Sequence, residues 1–142
     1  MLVLNNIHVS EDGTKRWFKN GLCHREDGPA IEWADGEKDW CYKDLFVGEG
    51  DKPDPKLWER VTSGPLNGCI VDFNGDKYWF KDDQYHREDG PAIEFADETQ
   101  FWYLNGEYLG SGTTGFWNLW DRLTDEQRGN PTLLRYLPRC TS

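Results

Sequence analysis

The sequence predicts a β-rich α+β fold, a tandem duplication of one antiparallel β-meander unit that ends in a helix. Three observations carry this reading. A nonapeptide occurs twice without a change, Asn-Gly and Asp-Gly pairs punctuate the chain around both copies, and a short amphipathic segment follows each one.

The nonapeptide is His24-Arg25-Glu26-Asp27-Gly28-Pro29-Ala30-Ile31-Glu32, and it returns 62 residues later as His86-Arg87-Glu88-Asp89-Gly90-Pro91-Ala92-Ile93-Glu94. The same offset pairs Asp12-Gly13 with Asn74-Gly75, Trp17-Phe18-Lys19 with Trp79-Phe80-Lys81, Trp40 with Trp102, Gly48 with Gly110 and Leu57-Trp58 with Leu119-Trp120. The alignment runs ungapped over about 55 positions, from residue 8 to 62 and from 70 to 124. Within each unit a fainter phrase recurs after 23 residues: a turn pair, three residues, Trp, a second large or thiol side chain, one residue, and another polar turn pair. Asn-Gly and Asp-Gly supply the positive φ of tight hairpin turns, and Trp, Tyr and Phe suit the strands between them. Runs such as Trp40-Cys41-Tyr42 and Trp102-Tyr103-Leu104 break strict alternation, so both sheet faces should be covered, one of them by a helix.

Those helices are expected at 54–62 and 114–124. Asp54-Pro55 reads as an N-cap followed by proline in the first turn, with Leu57, Trp58 and Val61 on one side and Gly64-Pro65 as the stop. Phe116, Leu119, Trp120 and Leu123 form the matching stripe, and Thr124 with Gln127 has the spacing of a capping box. The domain reading is a first unit over 1–69 (core 8–62, then a linker), a second over 70–124 and a tail over 125–142. All three are expected in one compact domain, with Leu133, Leu134, Tyr136 and Leu137 folding back on the body. Equivalent Trp residues should be buried alike in both halves, which share an aromatic core.

With 142 residues the chain can bury about 70% of its unfolded surface, enough for a fold without cross-links. Eight Trp, seven Phe and six Tyr carry the apolar content. A net charge of -10 argues against gripping a nucleic-acid duplex or an anionic membrane, because phosphate binding needs clustered Lys and Arg, and it suits a basic partner. The charge is uneven: net -4 over residues 1–62 and -7 over 63–124. Cys23, Cys41, Cys69 and Cys140 show no Cys-x-x-C and no zinc spacing, so they read as reduced thiols rather than a metal or redox centre. The N-terminal stretch lacks a basic region and a long apolar run, so no signal peptide or membrane span is expected and the cytoplasm is the expected compartment, a host's if the source is viral.

The pattern of Trp-(Phe/Tyr)-x-Asn-Gly phrases spaced with His-Arg-Glu-Asp-Gly-Pro-Ala resembles the repeats of small bacterial and tailed-phage proteins that are distantly similar to MORN-type β-hairpin repeats. The resemblance covers both units but not the tail. It implies a β-hairpin array with an interaction role, and no catalytic residues come with it. True MORN repeats space glycine more densely and lack the helix in each unit.

The chemically pointed residues are His24, Arg25, Asp27 and Glu32 with His86, Arg87, Asp89 and Glu94. The first reading is a shaped connection, in which Asp and Gly set a turn, Pro fixes φ, and His and Arg bond nearby carbonyls and carboxylates. The second is a pair of ligand or partner sites, each offering an Arg fork and a His donor with Trp faces nearby, able to hold a small nucleotide. General acid–base or metal-dependent hydrolysis ranks third, because each copy has a single His and no recognisable catalytic motif is present. The expected function is a small interaction module, a phage or bacterial accessory protein that binds and modulates a host or defence protein through an acidic, aromatic surface. A small-nucleotide binder is the alternative, and neither an enzyme activity nor a cofactor is expected.

Overall fold

Two kinds of tight turn recur along the chain and set its strands. In the computed structural model, which describes residues 6–138, positive φ falls at Gly13, Gly36, Gly75 and Glu98, each in a turn closing one hairpin. It also falls on both members of the pairs Asn20-Gly21, Lys43-Asp44, Asp82-Asp83 and Asn105-Gly106, the signature of a two-residue type I′ turn. Residues 1–5 and Cys140 lie outside the described residues, and with them the readings made on the N-terminal stretch and on that thiol.

The chain forms two compact units, Met1–Gly64 and Pro65–Ser142. In the first, the strands are β1 (Asn6–Val9), β2 (Lys15–Lys19), β3 (Leu22–Cys23), β4 (Ile31–Glu32), β5 (Lys38–Tyr42) and β6 (Leu45–Glu49), followed by α1 (Pro55–Thr62). All pairings are antiparallel, in the order β1-β2-β4-β5-β6, with β3 also on β2. The second unit has β7 (Gly68–Val71), β8 (Lys77–Lys81), β9 (Gln84–Tyr85), β10 (Ile93–Glu94), β11 (Gln100–Leu104) and β12 (Glu107–Ser111), then α2 (Gly112–Arg122), α3 (Asp125–Arg128) and α4 (Pro131–Leu134). Its sheet order, β7-β8-β10-β11-β12 with β9 on β8, is the same, and every strand starts and stops 62 residues after its counterpart. The molecule is thus a β-rich mixed fold of two antiparallel sheets with a few short helices.

Both sheets share one irregularity. The last hairpin shifts register after Trp40 and after Trp102, opposite Gly48 and Gly110. Gly48 sits at φ +152°, and a Cβ there would stand 2.8 Å from the backbone of Pro53 and Asp54. The missing side chain lets the segment leading into α1 lie against the sheet. Asp54 then caps α1, its carboxylate accepting the Leu57 N–H at 3.0 Å, with Pro55 in the first turn.

The helices cover their sheets unequally, which corrects the expectation of matched tryptophans for Trp40 and Trp102, whereas Trp17 matches Trp79 and Trp58 matches Trp120, all four half-buried. In the second unit α2 begins two residues before the expected start, and a Cβ on Gly115 would overlap the Trp102 ring, so helix and indole are in direct contact. Trp102 is 1% exposed, packed edge-on against Phe116 and Tyr136 in a core with Leu109, Leu119, Leu123 and Leu133. The shorter α1 buries Val61 but leaves Leu57, Trp58 and Trp40 half-buried. Trp58 meets Trp40 and Tyr42 edge-on at 5.7 and 5.3 Å. Leu133 and Tyr136 therefore add a layer to the second unit. Leu134 and Leu137, expected to fold back as well, are exposed. The capping box is present: Thr124 and Gln127 bond each other's backbone N–H at the start of α3.

Glu98 holds φ +73° where the three equivalent turns have glycine. A left-handed conformation costs an L-residue about 1–2 kcal/mol, part of which glycine's extra freedom in the unfolded chain cancels. Glu98→Gly should therefore raise the stability of the second unit by about 0.5–1 kcal/mol in urea unfolding. Destabilisation would show that the Glu98 side chain contributes more than its backbone costs.

Candidate functional site

β3 and β4 both pair with β2 along the same edge, β3 opposite Phe18 and Lys19, β4 opposite Lys15 and Arg16. The nonapeptide begins as the chain leaves β3 and ends as it re-enters on β4. Trp17, between the two paired stretches, pins both ends: its carbonyl accepts the His24 N–H at 3.0 Å and its N–H donates to the Ala30 carbonyl at 2.8 Å. Trp79 does the same with His86 and Ala92 at 3.0 and 2.7 Å.

Arg25 fills the loop so formed. Its Nε donates to Asp27 at 2.9 Å, and its Nη1 donates to the Pro29 carbonyl at 3.1 Å and to Glu32 at 3.2 Å, while the guanidinium lies 4.0 Å from the Trp17 ring centre. Arg87 repeats every contact: Asp89 at 2.8 Å, the Pro91 carbonyl at 3.2 Å, Glu94 at 3.0 Å and the Trp79 ring at 3.8 Å. A Cβ on Gly28 or Gly90 would come within 2.8 or 2.6 Å of the guanidinium carbon, which explains the glycine at that place. The second copy is tighter. Tyr136 sends its hydroxyl to Glu94 at 2.9 Å and stands 3.5 Å from Arg87 Nη1. Burial works against the Arg87 charge, but the bond to Asp89 and the proximity of Tyr136 outweigh it, so the guanidinium is held protonated more firmly than an ordinary arginine.

The histidines face elsewhere. His24 Nδ1 accepts the Lys43 N–H at 2.8 Å, so Nδ1 carries no proton and Nε2 faces Glu26 at 3.2 Å. His86 Nδ1 accepts the Asn105 N–H at 2.9 Å. Each ring thus seats the type I′ turn of the next hairpin, and His24 also packs on Tyr42 with centroids 4.2 Å apart. The bond from His24, then Lys19, holds the Glu26 carboxyl below the usual glutamate range. Of the eight residues singled out in the sequence, the fold brings Arg25 together with Asp27 and Glu32, and Arg87 with Asp89 and Glu94. It sends the two histidines to the adjoining hairpin. Two of the three nitrogens of each guanidinium, Nε and Nη1, already bond within the loop.

A different group of residues forms a concave surface. Trp33, 37% exposed, lies in an open hollow of about 540 Å³ with Glu37, Asp39, Glu49, Asp51 and Lys38 around it. The indole N–H donates to Asp39 at 2.8 Å, Arg16 approaches the ring at 5.3 Å, and Lys38 reaches Asp51 at 3.5 Å. The turn from Trp33 to Gly36 is closed by a 3.0 Å backbone bond and holds the ring in place. At the equivalent positions the second unit has Phe95 for Trp33, and Thr99, Phe101, Ser111 and Thr113 for the four carboxylates. The hollow was not singled out in the sequence because its acidic residues are spread over 37–51 and look like ordinary solvated charge. The signal that could have found it is the place where the two copies disagree.

Comparison with models of known families, with curated proteins and with solved structures finds no match. Among the described residues, no helix is long and apolar enough to cross a membrane.

The two loops should differ in what their arginines contribute. Arg87 is 8% exposed, so Arg87→Ala leaves partly buried carboxylates without a partner and should cost the second unit about 3–5 kcal/mol. Arg25 is partly exposed, and Arg25→Ala should cost the first unit about 1–2 kcal/mol. Urea titration followed through the NMR amide signals of each unit separates the two. Equal losses would mean that the extra contacts around Arg87 add nothing.

Proposed function

We propose that this protein is a small interaction module, a MORN-like hairpin-repeat protein derived by tandem duplication, that binds a basic protein segment in the hollow around Trp33. In the setting implied by its resemblance to bacterial and tailed-phage repeat proteins, the partner is a host or defence protein met in the cytoplasm, and binding modulates that partner. The observation that carries the reading is the exposed indole set among four carboxylates in the first unit, against their absence from the second. Features present in both units are accounted for by the folding each unit needs. A feature confined to one unit, with no fold-forming bond in the other to match it, is where a separate role can reside.

The chemistry is suited to Lys and Arg. A cation over a Trp face gains about 0.5–1 kcal/mol at an exposed site, a contact that Arg16 already makes with Trp33 at 5.3 Å. An incoming Lys or Arg therefore draws chiefly on the carboxylates, and opposite charge around the rim speeds encounter and fixes orientation. The nucleotide reading has less behind it, since the Nε and Nη1 donors of Arg25 and Arg87 serve Asp27, Glu32, Asp89, Glu94 and the loop carbonyls.

Titration of a Lys- and Arg-rich peptide, followed by calorimetry, should give binding that weakens as salt is raised. Trp33→Ala, or the combined Glu37→Gln, Glu49→Gln and Asp51→Asn variant, should weaken it at least about 10-fold, as expected when a central aromatic or its charged rim is lost. Phe95→Ala, at the equivalent place in the second unit, should leave it unchanged. Equal affinity in wild type and in the neutralised variant would overturn the reading, and a thermal shift with nucleotides that depends on Arg25 and Arg87 would replace it.

A further inference from the structure

β3 and β5 are not neighbours in the sheet order, yet the chain between β3 and β4 folds so that two backbone bonds link the ends of these strands and the residues that follow them. The Asp44 N–H donates to the Cys23 carbonyl at 2.9 Å, and the Arg25 N–H donates to the Cys41 carbonyl at 3.3 Å. The Cys23 N–H donates in turn to the Asp44 carboxylate at 3.2 Å. This cross-connection makes Cys23 and Cys41 neighbours, close enough for each thiol to bear on the ionisation of the other. In the second unit the equivalent positions hold Tyr85 and Tyr103, whose ring centroids are 5.0 Å apart. The closeness therefore belongs to the backbone, and the first unit places a sulfur pair where the second places two phenols. The cysteine spacing, which argued against a redox centre, gave no sign of this because the connection runs through the nonapeptide loop.

The two thiols are not equivalent. Cys23 is half-buried, whereas Cys41 is 8% exposed. The Cys41 thiol facing Cys23 favours the Cys23 thiolate, with Arg16 adding to the effect, and together they prevail over burial and over Asp44 and Asp39. The same contact, with burial, pushes the Cys41 thiol up. A half-exposed sulfur that peroxide can reach, beside a shielded one that it cannot, divides the roles of attacking and resolving thiol.

We propose that Cys23 and Cys41 form a reversible disulfide, a redox modification site whose oxidant is hydrogen peroxide. The Cys23 thiolate attacks one peroxide oxygen. An S–O bond forms, the O–O bond breaks, and the departing hydroxide takes up a proton to become water. The Cys41 sulfur then attacks the sulfenic sulfur of Cys23. The S–S bond forms, the S–O bond breaks, and the second hydroxide leaves as water with the Cys41 proton. Two electrons pass from the thiol pair to the peroxide, and an external dithiol returns them by thiol–disulfide exchange. The bond ties β3 to β5 beside the Lys43-Asp44 turn, where His24 is seated, and so stiffens the first unit.

The experiment uses the full chain, reduced and freed of reductant, exposed to hydrogen peroxide, then denatured in alkylating reagent and mapped by peptide mass spectrometry. The expected product is a Cys23–Cys41 cross-linked peptide lighter by two hydrogens, with Cys69 and Cys140 alkylated, reversed by dithiothreitol and accompanied by a higher melting temperature of the first unit. Cys41→Ser should trap a sulfenic acid on Cys23 that a dimedone probe labels, and Cys23→Ser should leave Cys41 unoxidised. Should Cys41→Ser fail to fold, alkylation rates in the native wild-type chain decide the assignment of the attacking thiol: Cys23 should react faster than the exposed Cys69. Cys23 reacting more slowly than Cys69, passing to sulfinic acid without a cross-link, or pairing with Cys69 or Cys140 would overturn the proposal.

Discussion

The guanidinium laid across Trp17, and its twin across Trp79, is the interaction on which each sheet depends. Two short strands share one edge of β2 or β8, so the chain must leave the sheet and return within the span of a few residues. That excursion exposes backbone polar groups with no sheet partner, and burying them unpaired costs about 1–3 kcal/mol each. One arginine answers several needs at once. It lies on the aromatic face below, bonds the proline carbonyl, and neutralises the carboxylates in the middle of the loop and at its exit. A lysine has the charge but not the planar fork, and an alanine in place of Gly28 would stand where the fork lies. The histidine one residue earlier extends the same hold to the next hairpin, so the loop joins parts of the sheet that never pair as strands.

Much of this was legible in the sequence because it rests on local rules. The 62-residue offset maps every strand of one unit onto the other, Asn20-Gly21 and Asn105-Gly106 make the expected turns, and Asp54-Pro55 and Thr124 with Gln127 start helices as their residue types require. The shaped-connection reading of the nonapeptide named the arginine bonds in kind, but not that the histidines would accept backbone N–H groups of the next hairpin or that Trp17 and Trp79 would serve as the platform. What stayed hidden depends on distance in space. The unequal burial of Trp40 and Trp102 follows from an earlier helix start and a tail whose packing has no periodic signal. The Lys43-Asp44 and Asp82-Asp83 turns carry positive φ without glycine, a conformation that their fixed place between paired strands imposes.

The two units share a backbone and differ in chemistry. Tyr78, Phe80, Tyr85, Phe95, Phe101, Tyr103 and Tyr108 form a chain of rings in the second unit, each within 6.4 Å of another. The equivalent positions in the first unit are Arg16, Phe18, Cys23, Trp33, Asp39, Cys41 and Phe46. The second unit has an aromatic face where the first has mostly charge and sulfur. The thiol pair lies within that set, whereas the hollow draws on it through Trp33 and Asp39, and its other carboxylates stand where the second unit has Thr and Ser.

The contacts of Leu133 and Tyr136 with the Trp102 core also impose an order in time. As the chain is synthesised, the residues of the six strands and helix of the first unit are all present once residue 62 has emerged, whereas Trp102 lacks its last covering layer until residue 136 has emerged. The second sheet therefore waits on the ribosome with a large indole incompletely sheltered while the first is already complete in sequence. A premature stop or a proteolytic cut ahead of Tyr136 would spare the elements of the first unit and strike the second, removing from Arg87 and Glu94 the hydroxyl that bridges them.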